Sequence, residues 1–426
     1  MPRGLRVVAA CFAAWALLGG CDRAAQPGAA ERVLRVANWG GPGNDPGFLK
    51  LERDLRDEFL ALHPGVRIEV EHIPGPGQYE SKLIMMIVSG DAPDVVQLDA
   101  SSAAVFIDND ILLDLSPLIA RDARFRVDDY FESVVDVFRR AERLFAIPLD
   151  FTPMVMLYNK RLFDEANVAY PEPGWTWDDF LVKAEALTRP ARDGRPKQYG
   201  FHFLRWMPHW VTWLWHNGGA VLSPDGTQAV GYFDGPESRA ALHFLVDLIQ
   251  KHGVAPSLAE SAAAGVDLFR AQRAAMHLTG HWELIELRAD QLDIGVVSLP
   301  SNVSKRETVM YASGLAVTAA TRAPDLAWEY VKFMCSADVQ KRRVATGLAI
   351  SGNRAAAAHF AGNPIEDAFL AEVPFARPPM GARVQRYGVC EDLGREMIED
   401  VLNTGAPLDA AAHRTAQLMQ AAVRTR

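Results

Sequence analysis

The stretch that most constrains the fold runs from Phe145 to Lys160 (FAIPLDFTPMVMLYNK) and is almost wholly apolar. Its residues 155–158 predict a strand covered on both faces, because such strands lose the alternation of apolar and polar residues. The two prolines before that strand cannot donate to a β-ladder, so we expect Asp150 and Thr152 in irregular backbone. The pattern predicts an acid and a hydroxyl group held where two parts of the chain meet.

Length and composition indicate a soluble chain of two domains. The chain has 426 residues, of which 49% are hydrophobic and 23% are charged. A chain of this length exceeds what one hydrophobic core usually supports. The net charge of −9 disfavours a nucleic-acid-binding face, which needs clustered basic residues. The same charge makes a strongly anionic ligand less expected.

The N-terminal segment has the pattern of an export signal. Two arginines near the start are followed by an apolar run over 7–18, which is too short to span a bilayer and has the size of a signal-peptide core. The tetrad Leu18-Gly19-Gly20-Cys21 resembles the lipobox of bacterial lipoproteins, in which the cysteine is acylated. We expect residues 1–20 to be a signal peptide and 21–32 a lipid-anchored tether. A plain secretory signal with an incidental cysteine is the alternative.

Two cysteines remain after this segment, Cys335 and Cys390. An exported protein can keep a disulfide bond, but the spacing of these two residues does not require one. Two buried free thiols are an equally consistent interpretation.

The first part of the mature chain alternates between strand and helix patterns. The predicted order is strand, helix, strand, helix, strand over Val33–Trp39, Phe48–Leu62, Val66–Glu71, Tyr79–Val88 and Asp94–Leu98. This order predicts a parallel sheet with right-handed crossovers.

Aromatic or acidic residues follow several predicted strands, where ligands bind in such sheets. They are Trp39, Asp99, Asp150, Trp282 and Tyr311. Aromatic rings stack on the apolar C–H faces of sugars, and carboxylates accept hydrogen bonds from sugar hydroxyl groups. Ser101 and Ser102 could contact the same ligand or cap the next helix, and both roles stay open.

The segment around residue 210 is the most aromatic part of the chain. Trp206, Trp210 and Trp213 share one face if the segment is helical. Such a face is usually core, although a ligand-stacking role stays open.

Motifs for catalysis or metal binding are weak. The chain lacks a phosphate loop, a GxSxG elbow and an HExxH helix. His277 and His281 are four residues apart but lie in a predicted strand and turn, so we do not expect a zinc site there. Glu283 and Glu286 are typical of a solvated helix face. We therefore expect no enzymatic activity, no cofactor and no metal.

Seven segments together resemble the extracellular solute-binding proteins of bacterial ABC importers, in the group of maltose- and glycerol-3-phosphate-type binding proteins. They are residues 79–101, 145–168, 175–180, 218–226, 274–282, 313–317 and 327–333. The resemblance covers nearly the whole mature chain, in the order that the family shows.

The resemblance implies an α/β fold of two lobes, the type II periplasmic-binding-protein fold. Each lobe is expected to be a mostly parallel sheet flanked by helices, with the ligand cleft at the hinge. The implied N-terminal lobe is 33–135 plus about 308–346, and the implied C-terminal lobe is 136–307 plus about 347–426.

The resemblance also implies a set of ligand-binding residues. The full set of candidates is Trp39, Tyr79, Asp99, Asp150, Trp210, Trp213, Trp282, Tyr311, Ser313, Gly347 and Arg354. The glycerol-phosphate type has small hydroxylated residues near the position of Asp150. An acid there would repel a phosphate group, so a neutral sugar is favoured.

The implied function is the capture of an oligosaccharide or related polyol and its delivery to a membrane permease. The protein would be a monomer, anchored by lipid on the periplasmic side of the cell membrane, with no nucleic-acid partner. A phosphorylated or cationic solute, such as glycerol-3-phosphate, is the alternative within this fold. A secreted glycoside hydrolase using two of Asp99, Asp150 and Glu283 is the alternative outside it.

Overall fold

The computed structural model describes residues 32–39, 46–73, 76–192, 197–303, 306–347 and 349–424. The expected signal peptide, Cys21 and all but the last residue of the expected tether lie outside the described residues. No helix in the described ranges combines the length and the hydropathy needed to cross a membrane.

The strands are β1 Arg32–Asn38, β2 Val66–His72, β3 Val95–Asp99, β4 Arg139–Arg140, β5 Arg143–Leu144, β6 Ala146–Pro153, β7 Val155–Asn159, β8 Tyr199–His202, β9 Ala274–Thr279, β10 Ile294–Val297, β11 Thr308–Val317, β12 Ile350–Ser351 and β13 Ala376–Arg377.

The α-helices are α1 Pro46–Leu62, α2 Pro76–Val88, α3 Ala103–Ile107, α4 Ser116–Ala120, α5 Glu132–Val135, α6 Lys160–Ala166, α7 Trp177–Leu187, α8 Val211–His216, α9 Pro236–Gln250, α10 Leu258–Ala264, α11 Leu284–Ala289, α12 Pro324–Cys335, α13 Ala337–Val344, α14 Arg354–Ala358, α15 Pro364–Leu370, α16 Tyr387–Thr404 and α17 Leu408–Arg424. Single 3₁₀ turns lie at Val127–Asp129, Asp136–Phe138, Met207–His209, His281–Glu283, Val373–Phe375 and Met380–Ala382.

The first sheet contains the predicted parallel unit. Its strand order is β12-β6-β11-β3-β1-β2, and β13 pairs with the start of β11. β1 is parallel to both β2 and β3, which confirms the prediction from the strand–helix alternation. β11 returns antiparallel between β3 and β6, so the sheet as a whole is mixed.

The second sheet differs from the mostly parallel arrangement expected for each lobe. Its order is β10-β7-β9-β8, with β7 antiparallel to both neighbours and only β8 parallel to β9. Parallel pairing requires a crossover segment between the paired strands. β7 instead enters the sheet directly from the first lobe, and β10 and β9 pair with it from opposite sides.

The central stretch forms two consecutive strands rather than one strand preceded by irregular backbone. β7 is buried along its whole length, as predicted. Asp150 and Thr152, however, lie within β6, which pairs with β11. Thr152 Oγ1 accepts a hydrogen bond from the backbone N–H of His281 at 2.9 Å, so the end of β6 is attached to the turn that follows β9.

Two large hydrophobic cores correspond to the two lobes. In the central stretch, buried residues up to Phe151 belong to the first core, and β7 then alternates between the cores. Met154, Met156 and Tyr158 belong to the second core, whereas Val155 and Leu157 still belong to the first. Near the C-terminus, α14 packs on α13 and β12, whereas α15 packs on β10. The lobe limits expected from the sequence stay predictions, and from this packing we propose divisions near Met154, near Met310 and between α14 and α15.

Local sequence explains several helix starts. Thr176 and Asp179 form a reciprocal capping box at the start of α7, as predicted for Thr176. Asn159 caps α6 by accepting a hydrogen bond from the N–H of Leu162. The cysteines Cys335 and Cys390 are both free and buried, one in each core.

Candidate functional site

Asp99, Ser313 and Asp150 lie side by side on β3, β11 and β6, and we call these three residues the acidic row. Ser313 is opposite Asp99 on one side and opposite Asp150 on the other. Opposed residues of paired strands project from the same face of a sheet. The Ser313 hydroxyl donates a hydrogen bond to Asp150 Oδ1 at 2.6 Å and accepts one from Gln97 Nε2 at 3.1 Å. The Ser313 hydroxyl therefore links Asp150 to Gln97, and Asp99 lies beside it in the sheet.

A β-bulge positions Asp150 in this row. The pairing with β11 shifts between Asp150 and Pro148, so that Leu149 is an extra residue in β6. Bulges redirect the neighbouring side chains, and proline is tolerated there because it has no N–H to donate.

The carboxyl groups of the row lie in a recess with restricted access to water. Burial raises the pKa of Asp150, against the effect of the Arg343 guanidinium 3.7 Å away. Burial also raises the pKa of Asp99, although the backbone N–H and the hydroxyl of Ser101 donate to its carboxylate and oppose that rise. Ser101 therefore supports Asp99, and the side chain of Ser102 makes no capping hydrogen bond to α3.

An acid from the second lobe faces the same recess. Burial raises the pKa of Glu391 on α16 to about 8, and the negative charges of Asp99 and Glu80 contribute to the rise. Glu80 and Asp99 belong to elements of the first lobe, and α16 packs in the second core. Since charge interactions weaken with distance and screening, the effect of Asp99 and Glu80 on Glu391 indicates that these three carboxyl groups lie near one another.

Three aromatic rings lie together beside the acidic row, and we call Trp206, Tyr311 and Trp282 the aromatic wall. The Tyr311 ring centroid is 6.2 Å from that of Trp206, with an angle of 25° between the planes, and 6.2 Å from that of Trp282, with an angle of 72°. Trp206 is 43% exposed. Tyr311 precedes Ser313 by two residues on β11, so the wall adjoins the acidic row. The wall offers ring faces to a ligand next to acceptors for its hydroxyl groups.

The ends of two parallel strands explain the positions of Trp206 and Trp282. β8 and β9 are parallel, so the residues that follow them emerge at the same edge of the sheet. The rule for strand ends predicted Trp282, whereas Trp206 was predicted to share a helix face with Trp210 and Trp213. The 3₁₀ turn at Met207–His209, which contains Pro208, interrupts that helix and leaves Trp206 outside it.

Trp210 and Trp213 pack in the second core rather than in the cleft. They are 0% and 2% exposed. The Trp213 ring contacts those of Phe180 and Trp177 at centroid distances of 5.1 and 5.6 Å, and Trp210 Nε1 donates to the carbonyl of Arg205. Both residues have the core role that is usual for such a face, and their burial does not support the ligand-binding role implied for them by the resemblance.

Trp39 and Tyr79 form an edge-to-face pair within the first lobe, with ring centroids 5.3 Å apart. The Tyr79 hydroxyl donates to the carbonyl of Ala37 at 3.0 Å and accepts from the N–H of Gln97. Trp39 lines a separate cavity of about 170 Å³, whose wall also includes Arg343. The pair therefore adjoins the acidic row through Gln97 and Arg343 rather than through direct contact.

Gly347 and Arg354, two further candidate ligand-binding residues, contact parts of the chain outside the acidic row. A Cβ atom at Gly347, whose φ is +83°, would overlap the Arg288 guanidinium of α11. Arg354 donates to the carbonyl of Asp128 at 2.9 Å. Within the described residues, no hydrogen bond or ion pair that we find joins either residue to the acidic row.

Several residues of the cleft were not predicted from the sequence. They are Glu80, Trp206, Arg343 and Glu391. The strand-end rule could have identified Trp206. Glu391 and Glu80 lie on helices among other acids, and no local pattern distinguishes them.

Comparison with known proteins assigns the family. Residues 45–341 match the family model of the bacterial extracellular solute-binding proteins. A curated relative, an uncharacterized lipoprotein of Streptomyces antibioticus, is 30% identical over 184 residues, which cover 42% of this chain and 38% of that protein. The mannitol-binding protein of Pseudomonas aeruginosa is 25% identical over 284 residues, which cover 62% of this chain and 60% of that protein.

Solved structures confirm the fold. An ABC substrate-binding protein of Listeria monocytogenes, in complex with cycloalternan, superposes with a TM-score of 0.81 at 23% identity, covering 92% of this chain and 98% of that one. The two-lobe, type II fold expected from the resemblance is therefore correct. The family model spans most of the chain, and the protein belongs to the bacterial extracellular solute-binding proteins.

Proposed function

We propose that this protein is the substrate-binding component of an ABC importer and that it binds a neutral sugar, an oligosaccharide or a related polyol, between its lobes. The observation that carries the proposal is the aromatic wall beside the acidic row. Trp206 and Trp282 supply faces for stacking on a sugar ring. Asp99 and Asp150 supply acceptors for its hydroxyl groups.

The arrangement also suits closure of the two lobes on a ligand. The acidic row belongs to the first lobe, whereas Trp206, Trp282 and Glu391 belong to the second. A ligand that contacts both groups is removed from water when the lobes approach, which strengthens each polar contact.

The named ligands of similar proteins support a polyhydroxylated solute. One relative is named as a mannitol-binding protein, and one structural neighbour holds cycloalternan. We further propose that Cys21 carries a lipid anchor, which holds the protein on the periplasmic side of the cell membrane. We also propose that the protein is a monomer and that it delivers its solute to membrane permease subunits. In this role the protein has no catalytic turnover.

A thermal-shift screen of the mature protein without its lipid tests the proposal. A ligand that binds only the folded state raises the melting temperature by mass action. We expect a concentration-dependent rise with neutral oligosaccharides or polyols, and none with glycerol-3-phosphate or other phosphorylated solutes. Rises confined to cationic or phosphorylated solutes would contradict the neutral-sugar proposal. Sugars that bind should be recovered intact, and new reducing ends after long incubation would indicate hydrolysis instead.

A further inference from the structure

Three side chains of the kind that bind metals converge behind the aromatic wall. They are His209 at the end of its 3₁₀ turn, His277 on β9 and Glu283 in the turn after β9. One nitrogen or oxygen atom of each lies within 4.8 Å of those of the other two. His277 Nε2 and Glu283 Oε1 are already 3.2 Å apart.

The His209 ring is buried without a hydrogen-bond partner. Its residue is 6% exposed, and neither ring nitrogen makes a hydrogen bond of acceptable geometry with the described residues. A buried polar group that lacks a partner costs about 1–3 kcal/mol. A ligand that accepts an imidazole lone pair at this point would remove that penalty.

We infer that His209, His277 and Glu283 bind a divalent transition metal of the zinc class. Imidazole nitrogens with one carboxylate are a common donor set for such ions, and harder ions such as Mg²⁺ prefer oxygen ligands alone. A tetrahedral ion with bonds of about 2.0–2.2 Å spaces its ligand atoms roughly 3.4 Å apart. The separation of up to 4.8 Å exceeds that spacing by about 1.4 Å, so the His209 ring would have to move by about that much to reach it.

Neighbouring groups form an outer shell that suits a cation. The Thr279 hydroxyl donates to Glu283 Oε1 at 2.7 Å. Asp267 Oδ2 lies 3.6 Å from Nδ1 of His202, whose ring centroid is 5.1 Å from that of His277. Glu283 and Asp267 are the two acids of this group, and Asp267 contacts His202, which packs beside the proposed ligand His277.

The site connects the two turns that carry Trp206 and Trp282, two of the three residues of the aromatic wall. The Trp206 ring centroid is 5.2 Å from that of His209, and Trp282 directly precedes Glu283. A metal at this point would fix the two turns relative to each other, so it would have a structural role behind the cleft.

The histidine pair that is close in sequence, His277 and His281, does not converge on this site. His281, four residues after His277, instead places Nε2 2.8 Å from Glu366 Oε2. The two histidines that converge are His209 and His277, which are 68 positions apart in the chain. They come together only because the turn at Met207–His209 packs against β9.

Calorimetric titration with Zn²⁺ tests the inference. The mature protein is freed of any histidine tag and stripped with a chelator before the titration, and no sugar is present. We expect one Zn²⁺ ion per chain and at least a tenfold loss of affinity, about 1.4 kcal/mol, in His209→Ala and in Glu283→Gln. His413→Ala removes a surface histidine paired with Asp234 and should leave the affinity unchanged.

A second measurement needs no variant. Binding of Co²⁺ to the stripped wild-type protein should give the intense visible bands of a four- or five-coordinate site, and Zn²⁺ should displace them. Absence of stoichiometric Zn²⁺ binding, an affinity unchanged in His209→Ala, or only the weak spectrum of hydrated Co²⁺ would each overturn the inference. Because these readouts do not involve a sugar, their failure leaves the proposed transport function unaffected.

Discussion

Glu391 illustrates how one side chain can depend on both lobes. Burial, with the charges of Asp99 and Glu80, raises its pKa to about 8 from an ordinary value of 4.5. With a pKa of about 8, the Glu391 carboxyl group is mostly protonated at pH 7 and can donate a hydrogen bond to a ligand oxygen. Glu391 thus differs in chemistry from the exposed acids around it on α16.

The raised pKa predicts how stability changes with pH. The folded protein holds the Glu391 proton more tightly than the unfolded chain, so this group stabilises the fold below about pH 4.5, and that contribution is lost as the pH rises through about 8. We expect the melting temperature of Glu391→Gln to fall less than that of the wild type between pH 5 and pH 8.5. Glu396→Gln, an exposed neighbour on α16, is the control. Equal pH profiles for wild type and Glu391→Gln would contradict the raised pKa.

Gly280 controls the position of the Trp282 ring. A Cβ atom at Gly280 would overlap that ring, so Gly280→Ala must displace it. We expect the affinity for the sugar identified by the screen to fall at least tenfold, about 1.4 kcal/mol, as measured by calorimetry. Gly388→Ala, where a Cβ meets no atom within 4 Å, should bind the sugar like the wild type. Unchanged affinity in Gly280→Ala would show that the Trp282 ring position does not matter for binding.

Residues at strand ends were the part of the site that the sequence could predict. Asp99 ends β3 and Trp282 follows β9, as the rule for strand ends predicted. Asp150 and Tyr311 were chosen by the same rule, but they lie within β6 and β11. Trp210 and Trp213 have the same residue type as Trp206, and only tertiary packing decides which indole faces the cleft.

At the scale of elements, the segment from Trp206 to His216 divides its tryptophans between two roles. Its 3₁₀ turn leaves Trp206 in the cleft, and α8 carries Trp213 into the core. We expect Trp213→Ala to lower the free energy of unfolding by about 3–5 kcal/mol, the usual range for removing a buried large aromatic residue. Trp206→Ala should change it by less than about 1 kcal/mol, because the ring is partly exposed.

Denaturant unfolding of the two variants measures this difference. Both lose one indole ring from the same segment, so each is the matched control of the other. Similar losses of stability in both variants would contradict the assignment of Trp213 to the core and Trp206 to the cleft.

Element order was more predictable than strand pairing. The alternation over residues 33–98 predicts β1, β2 and β3 and their parallel pairing from local periodicity and chain connection alone. The antiparallel return of β11 between β3 and β6 depends on residues about 160 or more positions apart. The bulge at Leu149 is likewise a property of the pairing, although the prolines around it indicated that the ladder was interrupted.

At the scale of the whole molecule, the cleft exists because the chain crosses between two lobes. β6 continues into β7 through Met154, and β11 carries Tyr311 and Ser313 past the same point. The aromatic wall and the acidic row are thus adjacent through Tyr311 and Ser313 of β11. The other wall residues, Trp206 and Trp282, belong to the second lobe, whereas Asp99 and Asp150 belong to the first. The two-lobe architecture was predicted from the family resemblance, and the limits of the lobes follow from packing that the sequence does not display.

Calorimetric titration of the bound sugar against variants of each lobe tests the central claim most directly. Asp99→Asn alters the first lobe, Trp282→Ala alters the second, and Arg354→Ala changes a residue bonded to Asp128 outside the acidic row. We predict that Asp99→Asn and Trp282→Ala each weaken binding at least tenfold, about 1.4 kcal/mol, and that Arg354→Ala matches the wild type. Wild-type affinity in either cleft variant would contradict a sugar held between the lobes by the acidic row and the aromatic wall.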